Sequence, residues 1–193
     1  MTKKKLASNW IWIAGVTLLG TGVWMSATAS AGDAETAQRV ARGKYLVDAI
    51  GCADCHTPLV MGPNGPARDP NHHLAGHPQQ LVMPAAPKLG DGPWAFVSAG
   101  TMTAWSGPWG TSFTANLTPD RETGLGAWTE EQFMATIRTQ RHLGKGRAIL
   151  PPMPASVYAN LNDEDLRSVF AYLQSIPAVK NRVPQPLPPA EAH

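Results

Sequence analysis

Cys52-Ala53-Asp54-Cys55-His56 holds both cysteines of the 193-residue chain, with a histidine directly behind the second. On a helical turn residues three apart share a face, so the two thiols can reach the two vinyl groups of one porphyrin. Cys-x-x-Cys-His is the attachment pattern of a c-type haem, and it carries His56 over the ring with the imidazole aimed at the iron. Two other chemistries use cysteines at this spacing. A thioredoxin-like dithiol needs a βαβ setting, and no strand–helix alternation surrounds residues 52–56. Zinc would take Cys52 and Cys55 with His73 and His77, a Cys2His2-like order. Those histidines lie between Pro70 and Pro84, where a helix to carry them is disfavoured, and zinc gives His56 no task. The haem reading leads, with one motif, one covalent haem c and no cysteine left for a disulfide.

A second axial ligand decides whether the iron is closed or open, and methionine opposite histidine closes it and raises its potential. Past the N-terminal segment the candidates are Met61, Met83, Met102, Met134 and Met153. Met61 follows His56 too closely to round the ring. Met134 sits in a helical pattern beside Phe133 and Ile137, where core packing explains it. Met102 alternates with threonines. Met83 and Met153 both stand in proline-flanked segments whose restricted backbone fixes a ligand at low entropic cost. Met153, in Pro152-Met153-Pro154 between two helical patterns, is preferred, with Met83 as the alternative.

The elements that must position these groups follow from the pattern along the chain. Residues 1–31 read as a secretory signal: Lys3-Lys4-Lys5, an apolar run from Trp10 to Met25, and Ala29-Ser30-Ala31 before a cleavage point at Gly32. An uncleaved membrane anchor is the alternative, and only then does the chain contact a membrane. Either way the expected location is the periplasm. Losing that segment removes three lysines and leaves 13 basic against 14 acidic side chains, so the basic balance of the whole chain does not argue for nucleic acid. Residues 32–183 are expected to form one domain, with a tail over 184–193 that is proline-rich, extended and mobile.

Helical spacing runs from an N-cap at Asp33 to about Ile50, interrupted by Gly43, which suits a second helix crossing closely there. Thr129-Glu130-Glu131-Gln132 is a capping box opening a helix to about His142. A short helical piece spans Ala155–Asn160. The last helix starts from Asn162, with Asp163, Glu164 and Asp165 in its first turn, and ends before Pro177. The intervening segment 57–115 differs: Gly and Pro supply 17 of its 59 residues, yet it carries Trp94, Phe96, Trp105, Trp109 and Phe113. It reads as an ordered wrap over the haem, with one hairpin of Gly100–Trp105 and Thr111–Asn116 about a turn at 106–110.

With this motif, these helices and Pro152-Met153-Pro154, the chain resembles a class I c-type cytochrome. The segment from Asn116 to Thr129 is similar to one in cytochrome c subunits of bacterial membrane-bound alcohol and aldehyde dehydrogenases, which carry several haem motifs where this chain has one. The resemblance implies an all-α domain around the haem, its terminal helices crossing at Gly43 and Tyr172. It implies thioethers from Cys52 and Cys55, His56 and Met153 as iron ligands, and a carbonyl at Pro63 accepting the other His56 N–H. It further implies single-electron transfer without bond chemistry, as a free carrier or as a subunit fixed to a dehydrogenase or terminal oxidase. Trp105, Trp109, Trp128, Asn116 and Arg147 are candidate propionate partners. Arg138, Arg141, His142, Lys145 and Arg147 would face an acidic redox partner. Asn116-Leu117-Thr118 matches a glycosylation sequon, which is discounted for an exported bacterial-type protein.

Overall fold

The long helix α1 (Ala31–Ala49) turns its buried residues Gly43, Leu46 and Val47 toward α5 (Asp163–Ser175), whose Leu166, Val169, Phe170, Tyr172 and Leu173 are buried in return. The spacing of three and four on both helices makes one apolar stripe each, and the two stripes form the centre of the core. These features belong to a computed structural model that describes residues 31–90 and 92–189. Residues 1–30 and the last four lie outside it, so the secretory reading of the N-terminal segment falls outside the described residues apart from Ala31. Gly43 lets the helices touch: a Cβ there would overlap the carbonyl of Ser168 and lie 2.8 Å from Cβ of Tyr172. The Gly43–Tyr172 crossing expected from sequence is therefore present. Arg42 bridges to Asp165 at 2.8 Å beside it.

Between the long helices come α2 (Cys52–His56), α3 (Glu130–Thr139) and α4 (Ala155–Tyr158). The capping box of α3 forms as read: Thr129 Oγ1 accepts from Gln132 N at 3.2 Å, and Gln132 Oε1 accepts from Thr129 N at 3.0 Å. Phe133 of α3 packs on Phe170 of α5, ring centroids 5.3 Å apart. Asn162 caps α5 through Asp165 N at 2.7 Å. Tyr158 Oη donates to the carbonyl of Ile50 at 3.0 Å, which ties α4 to the turn between α1 and α2.

The fold is not all-α. Two antiparallel sheets lie in the wrap. β1 (Leu59–Gly62) pairs with β2 (Gly65–Arg68), and Gly62 faces Gly65 across a turn of Pro63-Asn64. β3 (Val97–Ser98), β4 (Ala104–Gly107) and β5 (Gly110–Phe113) form the second sheet in that order, with β4 and β5 joined at Pro108-Trp109. The hairpin read from sequence is shorter than expected and has a third strand. The reason is backbone accounting: glycine and proline exclude a helix here, but an enclosed main chain must still pair its N–H and C=O groups, and short hairpins do so.

A further pairing joins two irregular stretches. His77 N donates to Thr114 O at 3.0 Å and Leu117 N to Leu74 O at 2.8 Å. Gly76, with φ of 78°, lies so close to Thr114 and Ala115 that any Cβ would strike their main chain. The chain after α5 is held to the same place. Asn181 is buried; its Nδ2 donates to the carbonyls of Ala75 (2.6 Å) and His77 (2.9 Å), and its Oδ1 accepts from Gln79 N at 2.8 Å. Beyond it Leu187 exchanges two backbone hydrogen bonds with Thr111, both 2.9 Å. The tail is extended as expected, but it is pinned and not mobile as far as Leu187.

Candidate functional site

A cavity of about 480 Å³ opens between the helices and the wrap, within the size range of cofactor sites. Cys52, Cys55 and His56 of α2 line one part of it. Phe133 and Ile137 from α3, with Leu166, Val169 and Leu173 from α5, supply apolar walls. Gly51 and the α2 turn present the cysteines three apart, as the motif requires. Burial pushes the Cys52 thiol up to about 11 and raises Cys55 as well, so both sulfurs carry their protons and neither is poised as a thiolate nucleophile.

His56 is only 7% exposed, and its Nδ1 lies 2.7 Å from the carbonyl of Ala115. A carbonyl only accepts, so Nδ1 carries the proton and Nε2 is left with its lone pair. Burial also lowers the histidine below its ordinary value, against the opposing pull of the Ala115 bond, which keeps the ring neutral. A neutral imidazole with a free Nε2 on a cavity wall is the donor an iron needs, and its orientation is set by a hydrogen bond on the far nitrogen. The acceptor is Ala115, not Pro63: Pro63 sits in the β1–β2 turn. No side-chain signal marks a backbone carbonyl 59 residues downstream, and sequence reasoning had no means to find it.

Met153 lines the same cavity, in the loop that opens α4. Ser112 of β5 donates to the carbonyl of Pro151 at 2.6 Å and so ties that loop to the second sheet. Among the described methionines no other lines it. Met83 borders a separate smaller cavity against β3 and β4, Met61 is 80% exposed, Met102 is contacted by the Ser98 hydroxyl at 3.6 Å, and Met134 packs on the core. The zinc grouping does not assemble among the described residues. His77 is fully buried and spends both ring nitrogens, Nε2 donating to Leu81 O at 2.9 Å and Nδ1 accepting from Thr103 Oγ1 at 3.0 Å.

Three of the five candidate propionate partners have their donors committed elsewhere. Trp105 Nε1 donates to Met102 O, Trp109 Nε1 to Ser112 Oγ, and the Asn116 amide to Val179 O at 2.8 Å. Asn116 is also only 3% exposed, which removes the sequon from any glycosylating enzyme. Trp128 and Arg147 both line the cavity. The expected basic ring is likewise divided: Arg138 bonds Asp163 at 2.6 Å, Arg141 bonds Gly146 O, and His142 and Arg147 turn to the cavity.

An apolar slot with two protonated thiols, one neutral imidazole and a thioether on its walls fits a covalently attached haem. The sequence model of the cytochrome c family matches residues 40–177, and the chain belongs to that family, whose electron-transfer domain binds haem c covalently. Its relatives are more particular. It is 29% identical over 175 residues to the fructose dehydrogenase cytochrome subunit of Gluconobacter japonicus, covering 88% of this chain and 29% of that one. It is 30% identical over 172 residues to a nicotinate dehydrogenase subunit of Pseudomonas putida (89% and 10%), and 29% identical over 155 residues to the gluconate 2-dehydrogenase cytochrome c subunit of Pantoea cypripedii (80% and 26%). The chain therefore spans less than a third of the length of each of these three relatives.

Proposed function

We propose that this chain is an exported monohaem cytochrome, ligated by His56 and Met153, that relays single electrons from a dehydrogenase to a further redox protein. When bound, the haem supplies a one-electron Fe(III)/Fe(II) couple. The chain's own residues do the rest. Cys52 and Cys55 anchor the ring, and His56 presents Nε2 while Ala115 holds its other nitrogen. Met153 supplies a soft thioether that favours the reduced metal and leaves no position for substrate. The apolar walls from α3 and α5 keep water from the metal, and a low-dielectric setting disfavours the extra charge of the oxidised state.

The observation that carries this reading is the convergence of Cys52, Cys55, His56 and Met153 on one cavity. One Cys-x-x-Cys-His in the sequence supports a single haem. The signal pattern over residues 1–31 supports export, and among the described residues no helix is long and apolar enough to cross a membrane. The relatives, cytochrome subunits of fructose and gluconate dehydrogenases among them, support a dehydrogenase as the electron donor and permit a fixed subunit in place of a free carrier.

The test is the absorption spectrum of the oxidised protein. A weak far-red sulfur-to-iron band is expected in the parent and in Met83→Ala and should vanish in Met153→Ala. Its survival in Met153→Ala would remove Met153 as a ligand. Co-purification of a large partner, lost when part of 57–115 is deleted, would mark the fixed-subunit form.

A further inference from the structure

The chain beyond α5 is a strap across the cavity. It is fastened on one side by Val179, whose N–H donates to Thr118 Oγ1 at 3.1 Å, and by the five-bonded Asn181, whose own N–H reaches Thr123 Oγ1 at 3.0 Å. It is fastened on the other by the Thr111–Leu187 pair. Between these points Arg182, Val183, Pro184, Gln185 and Pro186 all line the cavity. Arg182 is fixed through its backbone, its N–H donating to Gln79 Oε1 at 2.8 Å, while its guanidinium has no hydrogen bond or ion pair among the described residues.

Charge accounting around the cavity isolates two cations. Glu122 lines it but is neutralised by Lys180 at 2.8 Å. His142 lines it, and burial together with the nearby Arg147 holds the imidazole below its ordinary value, toward the neutral form. Arg147 makes only a 3.4 Å contact to its neighbour's carbonyl. Arg147 and Arg182 are left as positive groups without counter-charge on the wall of a predominantly apolar slot. A planar guanidinium is suited to a carboxylate, which it can meet with two parallel hydrogen bonds.

Resting on the haem reading above, we infer that the 179–187 strap is a wall of the cofactor site and that its Arg182, with Arg147 of the loop before Met153, receives the two haem carboxylates. Two uncompensated cations match two carboxylates in number, and the ligand they select is an apolar plate with an anionic edge. Arg182 is then a positioning residue that also sets the redox equilibrium, because a positive charge beside the carboxylates offsets their stabilisation of the oxidised metal.

The experiment is redox titration of the intact holoprotein, normalised to covalently bound haem, for the parent, Arg182→Gln, Arg182→Lys, Arg147→Gln and the control Lys88→Gln, whose side chain lines no described cavity. Arg182→Gln should keep its haem, because only backbone groups hold the strap at that position. It should also shift the oxidised-to-reduced ratio at fixed potential by up to about tenfold toward oxidised, about 59 mV for one electron. Arg147→Gln should move the same way, Arg182→Lys should stay near the parent, and Lys88→Gln should not move. Equal midpoints for haem-loaded Arg182→Gln and parent would overturn this inference alone, as would an equal fall in Arg182→Lys. A parent chain that takes up no covalent haem would overturn it together with the reading beneath it.

Discussion

The two halves of the cavity wall are built by different physics. On one side α3 and α5, with α1 packed behind α5, present buried leucine, valine and phenylalanine side chains, each contributing about 1.5–3 kcal/mol by leaving water. On the other side the wrap and strap bury few large apolar groups and hold together through polar atoms. Asn116, Thr118, Thr123 and Asn181 knit four chain segments, and no buried side-chain nitrogen or oxygen among the described residues lacks a partner. The first kind of wall tolerates small geometric change away from main-chain contacts such as Gly43–Ser168, because area is non-directional. The second is all-or-none, because each bond removed leaves a buried group unpaired. A rigid helical frame thus presents Cys52–His56, and a stitched polar shell sets the ring's far nitrogen and the rim.

The contrast predicts where each half breaks, and the largest effect belongs to the helical frame. Gly43→Ala should gain about 1 kcal/mol in helix propensity but lose about 3 kcal/mol or more by driving Cβ into the Ser168 carbonyl, since neither main chain can give way. Denaturant titration should therefore show a net loss of about 2 kcal/mol or more. An unchanged midpoint would mean the helices do not cross at Gly43.

A middle effect belongs to the shell. Asn181→Ala strips partners from the Ala75 and His77 carbonyls and from Gln79 N–H, and should cost about 1–3 kcal/mol. Amide exchange should quicken at Gly76, His77 and the strap while α1 and α5 stay protected; uniform quickening everywhere would erase the distinction between the halves.

The smallest effect is a pH dependence from one histidine of the shell. Burial lowers His77 below its ordinary value near 6.5, against the opposing pull of its bonds to Leu81 and Thr103. The unfolded chain then binds the proton more readily, so the stability contribution is complete above about pH 6.5 and falls as pH drops below it. The slope from this one group is at most about 1.4 kcal/mol per pH unit. His77→Gln should flatten the acid limb of stability against pH relative to the parent. Parallel limbs would show that His77 does not titrate between the states.

The sequence made the frame legible because its signals are local. Thr129–Gln132 and Asn162 announce helix starts in four residues, Gly43 interrupts a stripe where a partner must approach, and Cys52–His56 names its own cofactor. The shell is illegible for the opposite reason. Ala115 serves through its carbonyl, which every residue has, and Asn181 bonds residues over 100 positions upstream. The strands escaped an all-α expectation because they are at most four residues long and rich in glycine and proline, below the length at which alternation can be recognised. Met153 was readable only as a choice among methionines, and the uncommitted Arg182 only once its neighbours' bonds were known.

His56 is gripped twice by the shell, through its own carbonyl to Gly76 N at 2.8 Å and through its ring to Ala115 at 2.7 Å, and those two partners belong to stretches that also bond one another. The imidazole can therefore swivel only when the seam between 74–77 and 114–117 opens. How often it does so is governed by the local unfolding free energy of that seam and not by the global stability of the helical core. The steadiness of the donor nitrogen is in this sense a kinetic property of a loop, and a substitution that leaves the melting temperature untouched can still loosen it.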